Sequence, residues 1–187
     1  GAVVVWLLVA WLAWSAMRGR VAPQNARRAL FYIVGGGAIF PTVVLTALLV
    51  YGFAQMPALL APAPAGALRI AVTGEQFWWR IRYLPADGGE PVVRANELRL
   101  PVGEPVEFLL DSPDVIHSFW IPSLGGKMDM IPGRRTRLLL EPTRIGTFRG
   151  QCAEYCGTSH ALMAFPVVVR TEAELGRWLA EQGGGGT

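Results

Sequence analysis

The residues best able to do chemistry lie in one run of twelve, Cys152-Ala-Glu-Tyr-Cys-Gly-Thr-Ser-His-Ala-Leu-Met163. It offers two thiols, an imidazole and a thioether at Cys152, Cys156, His160 and Met163, at spacings of four, four and three. Thiolate and thioether are soft donors that favour copper, and imidazole suits copper too. A tetrahedral zinc site wants four donors from Cys and His, for which a Met is a poor substitute. Iron–sulfur ligation ordinarily takes more cysteines. On a regular helix the four donors would share one face, but Gly157 and the β-rich stretch before Cys152 point to a loop. Two cysteines in an extracytoplasmic domain also admit a structural disulfide, and the residues alone leave that reading open. The one other histidine is His117, after Asp114-Val-Ile and before Ser-Phe-Trp. A lone histidine at a strand end is usually a satisfied structural residue, yet a four-donor cluster needs one more nitrogen and only His117 can give it. No Ser-His-Asp or paired-carboxylate arrangement competes.

The elements that position these donors follow from the distribution of charge and hydropathy. Hydrophobic residues make up 52% of the 187, unevenly spread. No acid precedes Glu75, and the four basic residues Arg18, Arg20, Arg27 and Arg28 sit between two apolar runs. Residues 57–187 hold 13 basic and 14 acidic side chains, so the net +3 arises from that arginine segment. It is a topology signal rather than a nucleic-acid footprint. Residues 2–17 are apolar apart from Ser15, and their 16 residues fall short of the roughly 20 that cross a bilayer. A spanning helix cut short by numbering that begins at Gly1 fits them. A signal-peptide core is the alternative, disfavoured by the arginine-rich loop that follows. Residues 29–56 form a second run without a charge, long enough to span. Gly35, Gly36, Gly37 and Pro41 are tolerated in a membrane helix, where small residues admit a close partner helix. The positive-inside rule places the 18–28 loop in the cytoplasm and exports the rest. Residues 57–66, with Pro57, Pro62 and Pro64, read as a stiff linker.

Residues 67–187 then carry short strands expected at Leu68–Thr73, Gln76–Leu84, Val106–Asp111, Arg137–Glu141, Gly146–Gly150 and Phe165–Arg170. Turn signals such as Asp87-Gly88-Gly89 and Pro132-Gly133 separate them, which indicates an all-β sandwich or barrel. Residues 172–182 read as a terminal helix with Thr171 as its N-cap, and the 183–186 glycine run as a disordered tail.

The twelve-residue run resembles the CuA loop of cytochrome c oxidase subunit II. Asp114-Val-Ile-His-Ser-Phe-Trp-Ile-Pro-Ser-Leu-Gly-Gly-Lys-Met-Asp-Met-Ile-Pro-Gly-Arg134 is similar to that family's other ligand-bearing segment, and Gly74-Glu-Gln-Phe-Trp-Trp79 to its aromatic strand. The two-helix anchor matches as well. The resemblance implies an all-β cupredoxin-like Greek-key barrel on an N-terminal transmembrane helical hairpin, in a bacterial inner membrane with the copper domain on its periplasmic face. It implies a binuclear copper centre bridged by Cys152 and Cys156, with His117 and Met163 completing one copper, and His160 with the Glu154 carbonyl the other. The Glu154 carboxylate would be free to help hold a magnesium-type ion shared with subunit I. Expected partners are the haem-bearing subunit I, subunit III and a cytochrome c, soluble or tethered. Phe77 and Trp78 are expected to mark the patch that receives the electron, with Trp79 beside them and Asp114 as a docking acid. Strand alternation instead puts Phe77, Trp79, Ile81 and Tyr83 on one apolar face and Trp78 on the other with Gln76, Arg80 and Arg82.

A quinol oxidase subunit would share fold and anchor but lack the six donors. Nitrous oxide reductase has a similar loop, usually with Trp where this chain has Glu154, and a large second domain. A copper-containing nitric oxide reductase subunit stays open, and a copper chaperone would need a thioredoxin-like βαβ pattern. Many relatives begin a proton path from a carboxylate in the second helix. Here Val34 stands at that depth, so this chain is expected to give no titratable group there.

Overall fold

The computed structural model describes residues 2–18 and 26–183. Most of the expected cytoplasmic loop, and the glycine tail beyond Gly183, lie outside the described residues. The chain divides into two compact units, Gly1–Leu60 and Ala61–Thr187.

The first unit is helical. Helix α1 (Ala2–Met17) has apolar side chains all round and buries none of them. A second helix is continuous through α2 (Ala26–Leu30), a π-helical stretch (Phe31–Ile39) and α3 (Phe40–Leu59). It begins before Arg27 and Arg28 and runs past Pro57, so both the arginine loop and the linker are shorter than expected. Its Ala26–Pro57 portion is long and apolar enough to cross a membrane, whereas α1 is shorter than a full span. The π-helical turns coincide with Gly35–Gly37, and the Phe40 N–H donates five residues back to the Gly35 carbonyl. Pro41 has no N–H, and its ring would press on the carbonyl four residues back. The wider π turn just before it takes up that misfit.

The second unit is a sandwich of two five-stranded sheets, the form taken by the expected cupredoxin-like barrel. Its strands are β1 (Leu68–Glu75), β2 (Trp78–Leu84), β3 (Val92–Ala95), β4 (Leu98–Pro101), β5 (Val106–Asp111), β6 (His117–Trp120), β7 (Met128–Met130), β8 (Thr136–Leu140), β9 (Gly146–Cys152) and β10 (Ala164–Arg170). One sheet is ordered β3-β2-β1-β5-β8 and the other β4-β10-β9-β6-β7. The β1–β5 and β4–β10 pairs are parallel and the others antiparallel. Alternation works as read in β2 and holds in β1 too: Ile70, Val72, Trp79, Ile81 and Tyr83 point inward, while Arg69 and Arg80 face out. The expected strand from Gln76 starts two residues later, because Gln76 and Phe77 form the turn of the β1–β2 hairpin.

Strands β3, β4, β6 and β7 were not foreseen. Each has three or four residues, too few to show a period. In β6 His117, Ser118 and Phe119 are all buried, which erases alternation altogether. The terminal helix α4 (Glu172–Gly183) starts where expected, with a reciprocal cap. The Glu174 N–H donates to Thr171 Oγ1, and the Thr171 N–H donates to the Glu174 carboxylate.

Between the sheets lies an aromatic core. Trp79, Phe108, Phe119 and Phe165 are fully buried, with ring centroids of successive pairs 5.1–5.8 Å apart. At one end of the sandwich β1, β5 and β9 finish and β2, β6 and β10 begin. The chemically active residues gather at that end, so the core forms their floor.

Candidate metal centre

Cys152 is the last residue of β9, and its main chain is pinned on both sides. Its own N–H donates to the Met163 carbonyl at 3.1 Å, and the Ala153 N–H to the Ser118 carbonyl at 2.9 Å. These bonds tie the two ends of the Cys152–Met163 loop to each other and to β6. Within the loop a short 3₁₀ turn, His160–Leu162, folds His160 back toward the cysteines. Trp79 supports the far end by donating its indole N–H to the Met163 carbonyl at 3.3 Å.

The six sequence-derived donors converge. Cys152 Sγ lies 3.9 Å from Cys156 Sγ, 3.8 Å from His117 Nδ1 and 3.2 Å from the Glu154 carbonyl oxygen. Cys156 Sγ lies 3.6 Å from His160 Nδ1 and 3.8 Å from Met163 Sδ. The ligand atoms of His117, Cys152 and Cys156 all fall within 4.8 Å of one another. Both cysteines are free thiols, which closes the disulfide reading left open above. A sulfur separation of 3.9 Å is far beyond the roughly 2.05 Å of a disulfide. It is less than two metal–sulfur bonds of about 2.3 Å laid end to end. One metal ion can therefore touch both sulfurs.

Electrostatics prepare the donors for a cation. Burial pushes the Cys152 thiol up, but hydrogen bonds with His117, the backbone of Glu154 and Ser118, and His160 outweigh it, and its pKa falls to about 6. Burial and the neighbouring Cys152 charge push Cys156 up to about 11. The first proton of the pair is therefore lost more readily from Cys152, and a bound cation must displace the one that Cys156 holds. Burial lowers the basicity of His117, yet its bonds to Cys152 and Asp114 prevail and its pKa lies above the ordinary value.

Asp114 organises His117. Its Oδ1 is 3.0 Å from His117 Nε2 and accepts the Val115 N–H at 2.6 Å, while Oδ2 accepts the Gln76 N–H at 2.7 Å. Burial raises the Asp114 carboxyl, and these bonds together with the Ser112 hydroxyl bring it down to about 2. An ionised carboxylate has no proton to give, so Nε2 carries a proton and donates to Asp114, while Nδ1 faces Cys152 Sγ. Gly74 makes room for this ring, since a Cβ there would lie 3.1 Å from it.

The remaining predicted residues separate. Glu154 directs its carboxylate outward, 3.8 Å from Lys127 Nζ. Phe77 is half-buried against the core and covers Gly157 of the loop. Trp78 lies on the outer sheet face, with the Arg80 guanidinium 5.1 Å from its ring. Trp79 is in the core, its ring 6.2 Å from that of His117. Sequence reasoning missed Gln76, whose side-chain amide donates to the Cys156 carbonyl. Its place inside the Gly74–Trp79 motif was the only signal.

Residues 87–172 match the family described as cytochrome C oxidase subunit II, periplasmic domain. The solved periplasmic domain of subunit II (CoxB) of the Bradyrhizobium japonicum oxidase is 30% identical and superposes with a TM-score of 0.60, covering 66% of this chain and 98% of that one. This chain belongs to the cytochrome c oxidase subunit II family. Among curated relatives, cytochrome c oxidase subunit 2 of Alkalihalophilus pseudofirmus is 44% identical over 110 residues, 59% of this chain and 31% of that protein. The alternative cytochrome c oxidase subunit 2 of Bradyrhizobium diazoefficiens is 30% identical over 186 residues, 86% of this chain and 65% of that protein. The chain therefore spans about one third of the first subunit II relative and just under two thirds of the second. In this subunit II chain the His/Cys cluster sits inside the region that matches the family, and its donor set suits copper.

Proposed function

We propose that this chain holds two copper ions between Cys152, Cys156, His117, His160, Met163 and the Glu154 carbonyl, as the electron-accepting subunit of a cytochrome c oxidase. The observation that carries the reading is the thiol pair, 3.9 Å apart, with two nitrogens, a thioether and a carbonyl ranged around it. When bound, such a copper pair supplies a one-electron redox centre whose charge is shared over two metals. The chain's own residues do the rest. Cys152 and Cys156 present both sulfurs at bridging distance, and the pinned ends of the loop hold that distance. Asp114 fixes the His117 tautomer, and the aromatic floor keeps water from the buried side. Little has to move when an electron arrives, which favours fast transfer.

In this reading the oxidase accepts electrons from a cytochrome c near Phe77 and Trp78 and passes them to the haem-bearing subunit I, where oxygen is reduced to water and protons are translocated. The helices of residues 2–17 and 26–59 form a two-pass anchor, joined by residues 60–67 to a periplasmic domain that begins at β1, with subunits I and III as membrane partners. The exposed Glu154 carboxylate, a hard oxygen donor, is offered to a magnesium ion shared with subunit I.

The test is copper stoichiometry and electron spin resonance on the purified full chain in detergent. Two coppers per chain with a hyperfine pattern from one equally shared electron are expected, and Cys152→Ser or Cys156→Ser should abolish the sharing. A single copper with a four-line spectrum in the unaltered chain would sink the reading.

A further inference from the structure

The β1–β2 hairpin turn makes contacts that neither copper ligation nor electron acceptance explains. Gln76 lies in a turn of the first sheet, yet both of its ends reach the metal-donor segments. Its backbone N–H donates to Asp114 Oδ2 at 2.7 Å, and Asp114 Oδ1 receives His117 Nε2 at 3.0 Å. Its side-chain Nε2 donates to the Cys156 carbonyl. One hydrogen-bonded chain therefore runs from the His117 imidazole through the Asp114 carboxylate and Gln76 to the main chain of Cys156. It joins the nitrogen donor on β6 to the second thiol in the loop, without passing through β9 or Cys152. Packing repeats the link. A Cβ at Gly157 would lie 2.9 Å from Gln76 Nε2 and 3.0 Å from the Phe77 ring, and Gly157 has φ +135°. The loop presses its one side-chain-free residue against the hairpin turn, in a backbone conformation that favours glycine.

We propose that Gln76 is a positioning residue that clasps the Cys152–Met163 loop onto the Asp114–His117 pair and so fixes the place of Cys156 before any metal arrives. This rests on the copper-pair reading for its consequence, but the clasp is a property of the metal-free chain. Cys152 is held by β9 and by its bonds to β6 and Met163. Cys156 sits mid-loop, and among the described residues its carbonyl bond to Gln76 is the tie that reaches it from outside the loop. The hairpin turn thereby holds one of the two bridging sulfurs, and Phe77 covers the clasp as its apolar lid.

The experiment compares Gln76→Met and Gln76→Glu with the parent full chain in detergent. Met keeps the length and removes the donor, and Glu keeps the shape but sets an acceptor against the carbonyl. Gln76 is exposed, so neither change disturbs the core. The first readout is the rate at which DTNB modifies the thiols of the metal-free chain. Cys156 is only 3% exposed and the chain has two cysteines, so the rate reports loop opening. Loss of one neutral hydrogen bond raises such an opening equilibrium by about five- to tenfold. Gln76→Met should react faster by that factor and Gln76→Glu by more, while Arg149→Ala on β9 should match the parent. The second readout is the hyperfine pattern after copper loading, which should move from equal toward unequal sharing in both variants. Unchanged thiol rates in both variants would overturn the clasp, whatever the chain does with copper. A parent chain that binds no copper pair would remove the functional reading and leave the thiol rates to decide the clasp.

Discussion

Replacing Asp114 by asparagine removes a charge and almost no volume, so its effect isolates the carboxylate at the centre of the site. The native carboxylate receives the Gln76 and Val115 N–H groups, the Ser112 hydroxyl and His117 Nε2. Asparagine can accept through one oxygen only, and its amide nitrogen must face a donor. The fall of the Asp114 pKa from 3.8 to about 2 gives the ceiling. At about 1.36 kcal/mol for each tenfold in proton affinity, it is roughly 2.5 kcal/mol. The side chain is 30% exposed and the residue lies at the surface, so screening reduces this to about 1 kcal/mol. The sign follows from the depressed folded value. The contribution is fully present above about pH 4, where the unfolded carboxyl is ionised, and is lost as pH falls toward 2. Urea unfolding of the metal-free chain, followed by near-ultraviolet dichroism from pH 2 to 7, should show that acid limb in the parent. Asp114→Asn should be less stable by about 1 kcal/mol at pH 7 and flatter between pH 4 and 2. Copper affinity should fall about 10- to 100-fold, because His117 loses the partner that fixes its tautomer. An acid limb of equal depth in parent and variant would refute the assignment of Asp114 as the ionised hub.

Three further outcomes are expected. Gly157→Ala introduces a Cβ 2.9–3.0 Å from Gln76 and Phe77 at φ +135°, and should cost about 1–3 kcal/mol in urea unfolding; a neutral result would show that the loop shifts freely. Met163→Leu should retain both coppers and shift the reduction potential, since a thioether is a weak ligand; loss of one copper would make the thioether indispensable. Electron delivery by the native donor should depend only weakly on salt, because the acids beside Phe77 and Trp78 are already engaged, Glu75 with Arg80 at 3.0 Å and Asp114 with His117. A steep fall in rate as salt rises would show that docking is electrostatic after all.

The site was legible where residue type alone declares the chemistry. Two cysteines, two histidines and a methionine can be placed without knowing any strand, and the structure brings all five side chains together. The fold was legible where one face is buried and the other wet, as in β1 and β2. It was not legible where both faces are covered, as at His117-Ser118-Phe119, or where a strand is three residues long. Gln76 and Phe77 misled for a related reason. An aromatic run that continues a strand and one that turns a hairpin look alike in sequence, and only the pairing of Glu75 with Trp78 distinguishes them. Arg27 and Arg28 read as loop because charge interrupts an apolar run, yet a helix end tolerates arginines readily.

These particulars bear on how the centre is kept rigid. The thiol-bearing strand β9 and the histidine-bearing strand β6 both belong to the second sheet, so their separation is set by a direct ladder, Phe119 opposite Cys152. The loop thiol Cys156 has no ladder of its own and depends on the first sheet, through Gln76 and the ring of Phe77. The Trp79 indole, also from the first sheet, holds Met163. His117 and Cys152 are therefore positioned by the second sheet, while Cys156 and part of the support of Met163 come from the first, and the distance between them is set by packing across the aromatic core. A substitution such as Phe165→Leu, which removes no donor but thins the packing on Trp79, should then loosen the centre through the sheet spacing, whereas changes on the outer faces of the sandwich should leave it intact.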